Sequence, residues 1–333
     1  MDQAVAIFDK VGSGFDFTVG TMAVAQPRPD EVRFKVSAFA LNQADLLLTQ
    51  GRHYVTADLP IRLGYEGCGI VDAVGAGVTR FKPGDRVSSV PNVDGPYWTG
   101  GESALAREDF LVAWPEGWSS VQAAGFLMQY LTPYYPMAER FRFAPKAWVM
   151  VTAASGGTGL GTIRLAKLLG ARVIATTRTD EKAPVLKAHG ADVVLSTDQP
   201  DFADRVMEVT EGKGVDLIND SLCGPYVAKL SEILAFGGVM YVHGGLSGDN
   251  NFSMNILNLV HRQAGIHGYS LINELRVPGA LERGCKFIAD RIAKGELPPP
   301  TIDSVFPMEK IADAYRRMQS GKQVGKIVVA VSE

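Results

Sequence analysis

One junction constrains this chain more than any other: Val151-Thr152-Ala153-Ala154-Ser155-Gly156-Gly157-Thr158-Gly159. A continuous apolar strand over 148–153 runs into it. A helix over 160–169 leaves it, with Ile163, Leu165, Leu168 and Leu169 toward a core. Glycine at such a turn lets the backbone bend tightly and approach a bound anion. The helix start then offers free N–H groups and the positive end of its dipole. That context suits a dinucleotide pyrophosphate. A glycine-rich connection without a ligand is the alternative, and the regular succession around the turn weighs against it. Apolar runs over 172–176, 193–195, 215–218 and 239–242 alternate with helical stretches. Buried strands separated by helices imply a parallel sheet covered on both faces.

The next strand end selects the cofactor. An NAD site places an acid about 20 residues on, against the ribose 2′-hydroxyl. Here Val173-Ile174-Ala175-Thr176 ends in Thr177-Arg178-Thr179, with Lys182 just beyond and no acid at the tip. Hydroxyls and a guanidinium can hold a 2′-phosphate that a carboxylate would repel. The expected cofactor is therefore NADPH. The competing explanation is that Arg178 and Lys182 are solvated helix-start charges beside Asp180 and Glu181.

The first third is β-rich. Val32, Phe34, Val36 and Ala38 alternate with Arg33, Lys35 and Ser37, the period of a strand with one buried face. Turn signals at Gly75-Ala76-Gly77 and Lys82-Pro83-Gly84-Asp85 separate short strands over 70–74 and 86–90. Ser119 precedes an apolar run as a helix cap. After about Gly268 come a helix over 281–293, a proline-rich connector, a strand over 302–305, a helix over 311–319 and a strand over 325–331. The last strand is expected to return to the first domain.

Length and composition set limits. A chain of 333 residues implies two domains. A formal net charge of −3 provides no bulk positive field for nucleic acid. The three cysteines, Cys68, Cys223 and Cys285, lie far apart without metal-ligand spacing. No signal peptide and no apolar run of about 20 residues is evident, so the expected location is cytoplasmic, away from membranes.

The order of motifs resembles the medium-chain dehydrogenase/reductase superfamily, and within it the zinc-free quinone oxidoreductase branch. The carrying segments are Leu41-Asn42-Gln43-Ala44-Asp45, Gly64-Tyr65-Glu66-Gly67-Cys68-Gly69, Phe81-Lys82-Pro83-Gly84-Asp85, Leu131-Thr132-Pro133-Tyr134, the turn ending at Gly159, Asn219-Asp220-Ser221 and the stretch 321–328. The resemblance implies an α/β protein. A GroES-like β domain (1–120, completed by 270–333) would join a Rossmann doubly wound parallel sheet domain (121–269), with the nicotinamide in a cleft. It also implies a homodimer acting on a small molecule. Where zinc-dependent relatives keep Cys, His and Cys, this chain has Asn42, Tyr65 and a residue near Met128, and no cysteines stand over 90–115. No metal is therefore expected. Without a Lewis acid, reduction of quinones or of the C=C bond of enones and enals becomes the expected chemistry. A zinc-free ketone or alcohol dehydrogenase, or a cofactor-binding protein without catalysis, stays open.

The resemblance assigns candidate residues. Asn42 would bond the nicotinamide ribose or the substrate carbonyl, or merely cap its loop. Asp45 orients that loop or caps a helix. Tyr54 or its neighbour His53 is the candidate proton donor, one place off the pattern of enoyl reductases. Tyr65 lines the cleft or is a packed aromatic. Thr132 touches the nicotinamide end or caps its helix. The cofactor would also meet Ser155, Gly156, Gly157, Thr158, Gly159, Thr177, Arg178, Lys182, Ser221, His243 and Gly244. Lys326 resembles a residue reaching back to the cofactor or the domain interface. An aromatic mouth around Pro96, Tyr97 and Trp98 would suit a flat substrate.

Overall fold

The computed structural model describes residues 2–8, 17–54, 59–91 and 98–331. They form two compact units, Met1–Met128 with Arg276–Glu333, and Gln129–Leu275.

The first unit is built on the strand Glu31–Ala40. Its first half alternates as the sequence implies, but Val36 through Ala40 are all buried. Two cores explain this. Phe39 packs with Leu41, Leu63 and Tyr315 in one; Ala38 and Ala40 pack with Cys68, Ala123 and Val328 in the other. The sheet runs Ile302–Pro307, Lys326–Ala330, Glu31–Ala40, Glu66–Val74, Arg86–Ser89, Leu111–Ala113, with Ser103–Arg107 also paired to Glu31–Ala40. A second, three-stranded sheet holds Phe17–Ala23, Asp2–Phe8 and Ile61–Arg62. Lys326–Ala330 pairs antiparallel with Glu31–Ala40, so the chain end does return to this unit. Ser119 caps the short helix Ser120–Ala123, as expected.

The second unit is a six-stranded parallel sheet. Its spatial order is Val193–Ser196, Arg172–Thr177, Trp148–Val151, Val215–Asp220, Leu234–Val242, Gly265–Gly268. This is the doubly wound order, reversing beside the first strand of the unit. Apolar strand residues such as Met150, Ile174 and Ile218 pack on Phe202, Val206, Val227 and Leu230 of the covering helices. The strand Gly265–Gly268 escapes sequence inspection, because four residues bounded by glycines carry no apolar run. Among the described residues, no helix is long and apolar enough to cross a membrane.

Candidate active site

The two units carry the candidate residues in two groups. In the second unit, Trp148–Val151 ends at the reversal of strand order and the helix Gly157–Leu168 begins after it. The sharp bend is made by Ala153, at φ +46°, and not by a glycine; Gly156 has an ordinary φ of −74°. A left-handed alanine costs about 1–2 kcal/mol and persists only where its surroundings impose it. The glycines serve proximity instead. A Cβ on Gly159 would lie 2.5 Å from the Ala154 carbonyl oxygen. No side chain caps this helix start, which leaves its N–H groups available to an anion.

The strand ends beside the turn are tied together. Thr152 Oγ1 donates to Asp220 Oδ1 at 2.7 Å and accepts from the Ser221 N–H at 2.8 Å. Asp220 also accepts from the N–H groups of Leu222 and Cys223. Ser221 Oγ lies 3.4 Å from Nε2 of His243, which with Gly244 directly follows the next strand, Leu234–Val242. Burial holds the His243 imidazole down at about 4, against the opposing charge of Asp220. The ring is therefore neutral near pH 7. Asp220 and Thr152 were not singled out from the sequence, although Asp220 stands inside a recognised motif.

Lys182 folds back so that its ammonium donates to Ser155 Oγ at 3.1 Å. It joins the strand tip to the turn. Thr177 ends its strand, and Arg178 follows with its side chain exposed. Thr132 lies inside the helix Phe126–Tyr134, near its end, so its hydroxyl does not cap the helix start.

In the first unit, Asn42 precedes the helix Gln43–Thr49. Asp45 accepts from the Asn42 N–H at 2.8 Å, closing the first turn as a capping residue. The Asn42 side chain is fully engaged on its nitrogen. Nδ2 donates to the Ala40 carbonyl and to Glu66 Oε1, each at 3.2 Å. Its oxygen accepts from Lys326 Nζ at 2.8 Å. Asn42 therefore has no N–H left for a substrate carbonyl, which corrects one of its two expected roles. Lys326 is held inside the first unit. It is 4% exposed, and its ammonium is held by Asn42 and by Glu66 Oε1 at 2.7 Å. Glu66 Oε2 accepts from the Met128 N–H at 2.9 Å. Glu66 belongs to this group too; its place in the Gly64-Tyr65-Glu66 motif was the available signal.

Tyr65 is buried, with its ring 5.0 Å from that of Trp98. Burial, with the charges of Asp45 and Tyr54 adding, raises its hydroxyl well above the usual phenol range. Tyr54 is 65% exposed and stacks on His53, whose pKa is lowered by burial. Pro96 and Tyr97 lie outside the described residues.

An amide, a phenol and a thioether at positions 42, 65 and 128 are poor zinc donors. Cys68 is no substitute. Its thiol donates to the Ser120 carbonyl, and burial pushes it up to about 12. The donor set does not suit zinc. Among the described residues, no group of three or more His, Cys, Asp or Glu side chains is arranged to hold a metal ion.

The chain combines a doubly wound sheet that bears an uncapped helix start with a β unit completed by its last strand, the two-unit class of fold that suits a dinucleotide. Residues 28–133 match the alcohol dehydrogenase GroES-like domain, and 157–285 match the zinc-binding dehydrogenase family. The chain is 32% identical to the synaptic vesicle membrane protein VAT-1 homolog of Rattus norvegicus, over 91% of this chain and 77% of that protein. It is 28% identical to 2-haloacrylate reductase of a Burkholderia species, over 97% and 98% of the two chains. The solved structure of Escherichia coli quinone oxidoreductase complexed with NADPH superposes with a TM-score of 0.88 at 26% identity, over 99% and 100% of the chains. The chain belongs to the medium-chain dehydrogenase/reductase superfamily, in its quinone oxidoreductase-like part.

Proposed function

We propose that this protein is an NADPH-dependent reductase of quinones or of activated C=C bonds, working by hydride transfer without zinc. The observation that carries this is the uncapped helix start at Gly157 joined through Ser155 to Lys182, beside a strand tip with no acid. The N–H groups of Gly157, Thr158 and Gly159 would hold the pyrophosphate. Arg178, Lys182 and Thr177 hold the 2′-phosphate. Bound NADPH supplies the hydride. Asn42 Oδ1 would accept from a hydroxyl of the nicotinamide ribose. A substrate taking that hydride at its electron-poor carbon would gather charge on its oxygen and need one proton to complete the reduction. Tyr54 delivers that proton from an exposed position. Tyr65 stays protonated and shapes the site. Similarity to a 2-haloacrylate reductase and to a quinone oxidoreductase supports both substrate classes.

The test follows NADPH oxidation by absorbance, with a chelator present, against a benzoquinone, a 2-alkenal and a saturated ketone, with NADH in parallel. Turnover of the quinone or alkenal with NADPH preferred is expected. Turnover of the ketone only, or loss of activity with chelator, would overturn it. Arg178→Ala with Lys182→Ala should lower the preference for NADPH over NADH by about 10- to 100-fold, the worth of one or two charge-assisted hydrogen bonds.

We propose also that the protein is a homodimer through its second unit. Gly265–Gly268 is the last strand of its sheet, and the helix Leu257–Arg262 just before it exposes Leu257 at 63% and Val260 at 64%. Sedimentation should give a dimer that Leu257→Lys with Val260→Lys splits. A wild-type monomer would remove the proposal.

A further inference from the structure

The arrangement around Lys326 does more than pair two buried charges. Three contacts close a ring: Lys326 Nζ to Glu66 Oε1 at 2.7 Å, Lys326 Nζ to Asn42 Oδ1 at 2.8 Å, and Asn42 Nδ2 to Glu66 Oε1 at 3.2 Å. An ammonium has only donors, so the amide atom facing it must be oxygen. The carboxylate has only acceptors, so the atom facing it must be nitrogen. Each end of the amide is thus dictated by a charge of the matching sign. Flipping the amide would set N–H against ammonium and oxygen against carboxylate.

The ring is held from outside as well. Glu66 cannot turn away, because its other oxygen accepts from the Met128 N–H. The lysine stem runs past Gly125. A Cβ there would lie 2.8 Å from Lys326 Cε and 3.0 Å from the Ala40 Cβ. With both N–H bonds of Asn42 in use, the side chain has only the acceptor Oδ1 left to offer, which also faces the Asp45 N–H across the capping box.

We infer that Lys326 is a positioning residue that locks the Asn42 amide as a hydrogen-bond acceptor, so that this position takes a hydroxyl donor and refuses a carbonyl. In the proposed reaction, on which this inference rests, that hydroxyl belongs to the nicotinamide ribose. Lys326 itself touches neither cofactor nor substrate.

Deleting the lysine alone would leave the Glu66 charge buried without its cation, and a folding defect would hide the effect. The informative variant is therefore Glu66→Gln with Lys326→Met, which removes both charges and leaves the amide held only by its backbone contacts at Ala40 and Asp45. NADPH affinity by fluorescence titration and thermal unfolding are measured on the full chain, alongside Asn42→Ala. Asn42→Ala should raise the NADPH Kd about tenfold, the loss of one net hydrogen bond. The double variant should raise it by a similar factor while melting near wild type. A double variant with wild-type affinity beside a weakened Asn42→Ala would make Lys326 a structural ion pair only and overturn the inference. Wild-type affinity in Asn42→Ala would overturn it as well, through the assigned role of Asn42. Absence of NADPH binding by the wild-type protein would instead remove the proposed function. If the double variant does not fold, Gly125→Ala takes its place. It keeps every charge and presses on the lysine stem at 2.8 Å and, less closely, on the Ala40 Cβ at 3.0 Å. Several-fold weaker binding by protein that still folds cooperatively is expected, and unchanged binding overturns the inference.

Discussion

Gly159→Ala should abolish measurable NADPH binding, raising the Kd more than 100-fold. A methyl group at 159 would stand 2.5 Å from the Ala154 carbonyl oxygen and 2.6 Å from its carbonyl carbon and Cα. These are backbone atoms of the turn itself, so no side-chain rotation relieves the contact. Either the helix withdraws or the turn opens, and both move the N–H groups of the helix start. Losing two charge-assisted hydrogen bonds, at about 1.5–3 kcal/mol each, is enough for a factor of that size. Forcing an extra carbon into a packed site also costs about 1–3 kcal/mol of stability. Gly156→Ala is the control. Its Cβ would meet only the Ala153 oxygen, at 3.7 Å, and its φ of −74° suits any residue. That variant should fold with wild-type stability or slightly better. Equilibrium binding and melting curves of the two variants decide. Wild-type NADPH affinity in Gly159→Ala would sink the assignment of this turn to the pyrophosphate.

The second large effect is a pH dependence of stability set by Asp45. Burial raises its carboxyl to about 7; the Asn42 N–H, the Lys326 charge, the Gly64 N–H and the Tyr315 hydroxyl pull the other way without cancelling it. Lys326, Tyr65 and Tyr315 face it from the neighbouring elements. In the unfolded chain the carboxyl ionises near its ordinary value of 3.8. The folded protein therefore holds a proton that the unfolded chain releases. The stability this confers is complete below about pH 4 and is lost as pH rises toward 7. Within that window the loss is on the order of 1 kcal/mol per pH unit. Asp45→Asn keeps an acceptor for the Asn42 N–H and has no proton to lose. Its denaturation free energy should fall less steeply than that of wild type between pH 5 and 7, and it should exceed wild type at about pH 8. Parallel profiles for the two proteins would show that Asp45 is ionised in the folded state at acid pH.

Much of this was legible along the chain. The glycine turn, the acid-free strand tip and the alternation of buried strands and helices are local patterns, set by backbone freedom and hydrophobic period. They led to the doubly wound unit, and the turns among short strands led to the β unit. Two elements resisted. The second half of Glu31–Ala40 stops alternating because two cores claim its two faces, which depends on partners far away in the chain. The last strand of the parallel sheet is too short and glycine-bounded to leave a pattern.

The candidate site divides in the same way. Ser155, Gly156, Gly157, Thr158, Gly159, Thr177, Arg178 and Lys182 are near one another in sequence, so their grouping was foreseeable. Which residue bends the turn was not: Ala153 takes the left-handed backbone that a glycine was expected to supply. Lys326 and Asn42 meet across 284 residues, through the pairing of Lys326–Ala330 with Glu31–Ala40. The sequence by itself determined which groups stand at the glycine turn and strand tip proposed for an anionic dinucleotide, and which residue types stand at positions 42, 65 and 128, because residue type and local spacing suffice for that. Only the tertiary structure decided that the buried lysine faces the asparagine oxygen. The polarity of an amide depends on the charges packed around it, and long-range strand pairing put those charges there.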